Sequence, residues 1–264
     1  MNQENRIHLW LAILNILFFA IMISANAMAN ALPINGLNTG EVSAFYPNLF
    51  VPAGLTFSIW GLIYTLLFIY VIYALVMAVK KTIGGVLNIK TQFAFALSCL
   101  LNAGWIFLWH YKLIIWSEIV MILLLINLIY LFLQTEALGT KGWKQCLYVK
   151  IPVRVYLGWI TVATIANTTA LLVAKNWGAW GISDNAWTVT MILIGAAVTV
   201  VMLIKHNNIA YTLVVIWAYT GIIIKRASAD ILYKDIIFTS SLVIGLLLVL
   251  MVYSMIKNIS KAEK

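Results

Sequence analysis

Charge is the scarcest thing in this sequence: 17 lysines and arginines and 8 acidic residues make up 9% of its 264 positions, against about 25% in an average soluble domain. A water-soluble particle of this size could not wet its surface with so few charges. A soluble enzyme, a nucleic-acid binder and a disordered chain are excluded on that ground. Cysteine is nearly as scarce, and Cys99 and Cys146 support neither a disulfide framework nor a Cys/His metal spacing. Four prolines and 15 scattered glycines leave no linker and no low-complexity region. Nucleophilic chemistry is thin as well. No serine sits in a nucleophile elbow, no glycine-rich phosphate loop is present, and no acid–base or nucleophile–base pair can be named, which speaks against an enzyme. His8, His110 and His206 fall at predicted helix ends with no two on one face, so no metal site is expected.

What fills the chain instead is apolar: 64% of the residues, with a mean hydropathy of +1.00. A helix crossing the hydrocarbon needs about 20 such residues, and eight runs qualify, at roughly 8–29, 52–79, 91–111, 113–134, 151–174, 186–204, 208–224 and 236–256. The runs are unbroken, without the period-two alternation of a membrane barrel. The fold class is therefore all-α, a polytopic membrane helix bundle of about eight transmembrane helices. The second run is too long for an upright helix and is expected to tilt or to project past the membrane. Twelve of the 17 basic residues, among them Lys80, Lys81, Lys141, Lys144, Lys150, Arg154, Lys261 and Lys264, share the side of the N-terminus. The positive-inside rule makes that side cytoplasmic, with both termini there. The basic excess thus reads as topology and contact with a lipid bilayer, with no nucleic acid as partner. Arg6, the apolar stretch after it and the small residues Ala25-Asn26-Ala27 offer a rival, a cleaved signal peptide. The stretch is longer than a usual signal core, so a retained first helix is expected.

Of the acidic residues only Glu118 falls plausibly inside a span, where a carboxylate is a functional candidate. The preferred alternative is a residue snorkelling to the interface near Lys112. Arg154 lies at the opposite end of its span, too far to pair with it. Tryptophan stands out, with eleven copies. An interfacial belt accounts for Trp10, Trp143 and several others. Asn102, Trp105 and Trp109, at i, i+3 and i+7, form one stripe on the third span, and Trp60 is placed near mid-membrane. A buried asparagine needs a partner from another helix or from a ligand. The fifth span carries Thr161, Thr164, Asn167 and Thr168. Core packing or an aromatic pocket for a flat ligand would each account for these features. In the connection 30–50, Pro33, Gly36, Gly40 and Pro47 break any continuous helix, and Glu41 lies among turn residues; a loop this long is often a lid, or a plain connector.

Three segments carry a resemblance. Phe50-Val-Pro52-Ala-Gly54-Leu-Thr-Phe57, continuing to Tyr64, looks like the start of the second helix in the TspO/MBR family, the tryptophan-rich sensory proteins, where the usual pattern is F-x-P-P-G-W-x-F. Asn102-Ala-Gly-Trp105 resembles the family's N-x-x-W, and Tyr156-Leu-Gly-Trp159 through Asn167 its Y-L-x-W-x-x-x-A-x-x-x-N. The resemblance implies a five-helix bundle over residues 1–177, often a homodimer, followed by three additional spans in 178–264 of the same membrane domain. It implies a hydrophobic small molecule as partner, with no covalent cofactor but a bound porphyrin or haem-like tetrapyrrole. By position, Pro52 and Gly54 would shape a pocket entrance and Phe57 its wall, Asn102, Trp105 and Asn167 would line it, and Trp159 would pack nearby. Trp60 and Trp109 join the set as neighbouring aromatics. This chain departs at Ala53, where the family has a second proline, and at Leu55, where it has tryptophan, a position Trp60 could fill. After Asn167 an aromatic-and-arginine ending is replaced by Thr-Thr-Ala-Leu-Leu-Val-Ala-Lys175, which speaks against sterol recognition. A receptor or carrier for a flat ligand is the leading expectation. A proton- or ion-coupled permease using Glu118 and an assembly partner without a ligand are the alternatives.

Overall fold

The computed structural model describes residues 3–32, 34–138 and 142–262, with side chains to 257. Pro33, Lys141, Glu263 and Lys264, and the side chain of Lys261, lie outside the described residues. Among these residues are eight helices long and apolar enough to cross a membrane, and the chain is a multi-pass α-helical membrane protein. We number the helices α1 (Gln3–Ala31), α2 (Thr39–Ala44), α3 (Ile59–Val79), α4 (Ile89–His110), α5 (Ile114–Ala137), α6 (Ile151–Ala174), α7 (Asp184–His206), α8 (Ile209–Ala227) and α9 (Lys234–Ala262).

Polar side chains set the ends. Asn38 caps α2 and Asn88 caps α4, each in a reciprocal capping box with Glu41 and Thr91 respectively. Ser183 and Asn208 cap α7 and α8, and Lys112, with φ 58, turns the chain tightly from α4 into α5. The connection 30–50 is more ordered than its turn residues suggest. Gly40 is inside α2, and Glu41 is spent on the cap, its Oε2 accepting from the Asn38 N–H at 2.7 Å. The run 52–79 is not one long helix: Pro52 and Ala53 are non-helical, Gly54–Ser58 form a 3-10 turn, and α3 starts only at Ile59. The turn runs directly into α3, so the span Gly54–Val79 still has 26 residues, more than the roughly 20 that an upright helix needs, and the expected excess length remains. The fifth span is longer than expected. A helical turn at Trp143–Gln145 and a π-helical turn at Cys146–Lys150 lead into α6, a start masked in the sequence by Lys144, Gln145 and Lys150.

Two compact units result. The first comprises Met1–Phe45 and Ile59–Ile160. There α1 packs on α4 and α3, α4 packs on α5, and α2 lies on α4. The stripe of α1 that faces inward reads His8, Ala12, Asn15, Phe19, Met22 and Asn26, while Trp10, Ile13, Leu17 and Ile21 face outward. Polar groups inside and apolar groups outside is the arrangement a lipid environment requires. The second unit comprises Tyr46–Ser58 and Thr161–Lys264. In it α9 packs on α8 and α7, α7 packs on α8, and the 3-10 turn 54–58 rests on α8.

Candidate functional site

Asn102 is the centre of a polar seam in the first unit. The 3.6-residue period that puts it on one face with Trp105 and Trp109 turns all three inward, and Asn102 has 0% exposure. Its Oδ1 accepts from Asn26 Nδ2 at 2.8 Å, and its Nδ2 donates to the Tyr156 hydroxyl at 2.9 Å. The partner that a buried asparagine needs is therefore supplied twice, by α1 and by α6. Asn26 Nδ2 also donates to the Met22 carbonyl, and Asn30 Nδ2 donates to the Asn26 carbonyl, both at 2.9 Å. Three helices are tied at one level by groups that would otherwise be orphaned in an apolar surrounding.

Aromatic rings flank the seam. Trp60 stacks on Tyr64 at 5.3 Å and meets Tyr156 and Trp159 edge-on at 6.3 and 6.1 Å. Trp60, in the first turn of α3, thus meets rings that lie midway along the helical run Trp143–Ala174. Trp105 and Trp109, both buried, stack at 5.9 Å with 21° between their planes. An open groove of about 450 Å³, lined by Ile23, Asn26, Ala27, Asn30, Ala31 and Tyr64, adjoins the seam. Its volume lies within the usual range for small-molecule sites. Small residues on α1 leave the space, Tyr64 supplies a flat wall, and two asparagines supply polar contacts.

The first loop is fastened to the end of α4. Buried His110 has Nδ1 at 3.2 Å from the Ile34 carbonyl, a bond in which the ring must donate, and Nε2 then accepts from Thr39 Oγ1 at 3.1 Å. Asn35 Nδ2 donates to the His110 carbonyl and Trp109 Nε1 to the Thr39 carbonyl. His110→Ala is expected to raise amide hydrogen exchange across residues 34–45 by about five- to tenfold, the loss of one to two net hydrogen bonds. Exchange unchanged from wild type would show that the loop is held by other contacts.

The residues singled out from sequence divide between the units. Trp60, Asn102, Trp105, Trp109 and Trp159 belong to the first, and Pro52, Gly54, Phe57 and Asn167 to the second. In the second unit Pro52 and Asn167 are buried, Phe57 is half-buried and Gly54 is exposed. A Cβ on Gly54 would meet nothing within 4 Å. The glycine with a steric reason is Gly221 of α8, whose carbonyl accepts from the Ala53 N–H at 3.0 Å. A Cβ there would collide with Thr56 Oγ1 and lie 2.8 Å from its Cγ2. Trp217 Nε1 completes the clamp by donating to the Thr56 carbonyl at 2.9 Å.

Glu118 does not snorkel. It is 6% exposed, on the inward face of α5 with Met121 and Leu124, because its spacing matches the buried stripe of that helix. The tryptophans sort by exposure. Trp10, Trp116, Trp143, Trp180 and Trp217 are exposed, the first four above half as a belt requires, and Trp105, Trp109 and Trp159 are buried; Trp60, Trp177 and Trp187 fall between the two. Sequence reasoning missed Asn26, Asn30, Tyr64 and Tyr156 as site residues. The signal for Asn26 was present, a carboxamide within the apolar run of the first helix, but no neighbouring residue marks which helix it faces.

No curated protein and no solved structure matches this chain at a significant level. A family does: its model, described as TSPO-like protein, matches residues 12–253, a stretch running from α1 into α9. With that match covering nearly the whole chain, and the three motifs of the second, third and fifth spans inside it, the protein belongs to the TSPO-like family.

Proposed function

We propose that this TspO-type membrane protein is a receptor or carrier for a flat hydrophobic ligand, of which a porphyrin or other tetrapyrrole is the best example. The observation that carries the reading is the buried Asn26–Asn102–Tyr156 seam, flanked by the Trp60 aromatic cluster and adjoining the groove at Tyr64. Stacked and edge-on rings favour a planar apolar body, and a few fixed carboxamides orient its polar edge. The protein lies in the cell membrane with both termini on the cytoplasmic side, the side richer in lysine and arginine. Its test is the absorption spectrum and mass analysis of what co-purifies with the full chain. A visible absorption band with a tetrapyrrole mass is expected. A colourless preparation that carries lipid alone, and stays colourless after incubation with porphyrin, would refute the ligand class.

A second reading, a proton-coupled permease, is favoured by the burial of Glu118 within α5. An intramembrane carboxylate turned inward is suited to carrying a proton. It requires solute uptake into proteoliposomes that follows a pH gradient and disappears in Glu118→Gln; uptake indifferent to that substitution removes Glu118 from the account.

A further inference from the structure

The facing ends of α5 and α6 carry a charge cluster that the ligand reading leaves unused. Glu136, in the last turn of α5, accepts from Nη2 of Arg154 at 2.9 Å through one oxygen and 3.0 Å through the other. Lys150 Nζ stands 3.8 Å from the same carboxylate. The three side chains, Lys150, Arg154 and Glu136, are 12, 16 and 19% exposed. One carboxylate facing two cations leaves an excess positive charge in a largely desolvated place, which is costly unless an anion joins it. The guanidinium also has capacity left, since Arg154 Nε is buried without a hydrogen-bond partner among the described residues.

The surroundings say which anion fits. Trp143, seven residues before Lys150 on the same helical run, is 65% exposed, with Lys144 Nζ 5.8 Å from its ring. Its ring lies 6.1 Å from Tyr148, which in turn meets Tyr73 at 5.3 Å. Exposed tryptophan with tyrosine companions marks the headgroup level of a bilayer, and Leu147 presents an exposed apolar side chain next to it. We infer that Lys150 and Arg154, with Lys144 six residues before Lys150 on the same helical run, form a binding site for the phosphate of an anionic phospholipid, Glu136 being the one carboxylate that competes for both. The donors of arginine match phosphate oxygens in plane, and the lysines add point charges. Apolar flanks and the aromatic level favour a lipid phosphate over a free one.

The test exposes the purified full chain to mixed micelles of phosphatidylglycerol and phosphatidylcholine and counts retained lipids by native mass spectrometry. Wild type is expected to retain phosphatidylglycerol preferentially. Lys144→Ala and Lys150→Ala should each lower the preference by about fivefold, the value of one basic residue near an anionic surface. Glu136→Gln, which removes the competing carboxylate, should raise it. The lysine variants decide the matter if Glu136→Gln does not fold. Equal retention of the two lipids, or an unchanged preference in the double lysine variant, would overturn the site. Inorganic phosphate that displaces phosphatidylglycerol and stabilises the protein equally against heat would overturn the lipid assignment.

Discussion

Gly221→Ala is expected to destabilise the protein by about 1–3 kcal/mol, the usual cost of overpacking a tight contact. In an open helix position the same change gains about 1 kcal/mol from helix propensity, so the direction of the effect decides whether the contact exists. The new methyl would be forced onto Thr56, which is 2% exposed and cannot swing away into open space. Its neighbours are fixed by the Ala53 N–H bond to the Gly221 carbonyl and by the indole bond from Trp217. Thermal unfolding in detergent measures the loss. Thr56→Gly in the Gly221→Ala background removes the colliding side chain and should recover part of the stability. Gly54→Ala is the control, since its Cβ meets nothing, and it should change stability little. Gly221→Ala as stable as wild type would mean that the non-helical segment before α3 is not clamped on α8.

Asn102→Leu is the second substitution with a large expected effect. It removes the acceptor for Asn26 Nδ2 and the donor to the Tyr156 hydroxyl at once. A hydrogen bond between membrane helices is worth only about 0.6 kcal/mol on average. Truncation here costs more than a lost bond, because Asn26, which keeps only its bond to the Met22 carbonyl, and the Tyr156 hydroxyl, 1% exposed, are left short of a partner. A loss of about 1–3 kcal/mol follows for an orphaned buried group. Leucine at both 26 and 102 should be less harmful than Asn102→Leu alone, since the orphan on α1 disappears with its partner. A cycle of Asn102→Leu with Tyr156→Phe should show coupling of about 1 kcal/mol. Additive effects would mean that the seam is not a connected network.

Much of this was legible in composition and periodicity. An apolar run of 20 residues has one stable conformation in lipid, so the eight helices followed from hydropathy alone. The non-helical start of the second run did not, because the Ala53 N–H is satisfied by Gly221, more than 160 positions along the chain, and hydropathy records no such partner. Asn102, Trp105 and Trp109 were visible as one stripe, since a helix face is a local property. Their partners were not, because Asn26 and Tyr156 meet Asn102 only through packing of separate helices. That Glu118 is turned inward was hidden for the same reason: distance from a helix end is readable, but which face a neighbouring helix covers is not.

The proposed function requires the aromatic and asparagine side chains of the first unit to hold a flat apolar ligand. Titration of the purified protein with a porphyrin, followed by quenching of tryptophan fluorescence, tests it most directly. Saturable quenching is predicted, with affinity falling about tenfold when Trp60→Leu and Trp105→Leu remove two ring contacts of roughly 0.5–1.5 kcal/mol each. Quenching that stays linear in porphyrin concentration, or an affinity unchanged in the double variant, would contradict it.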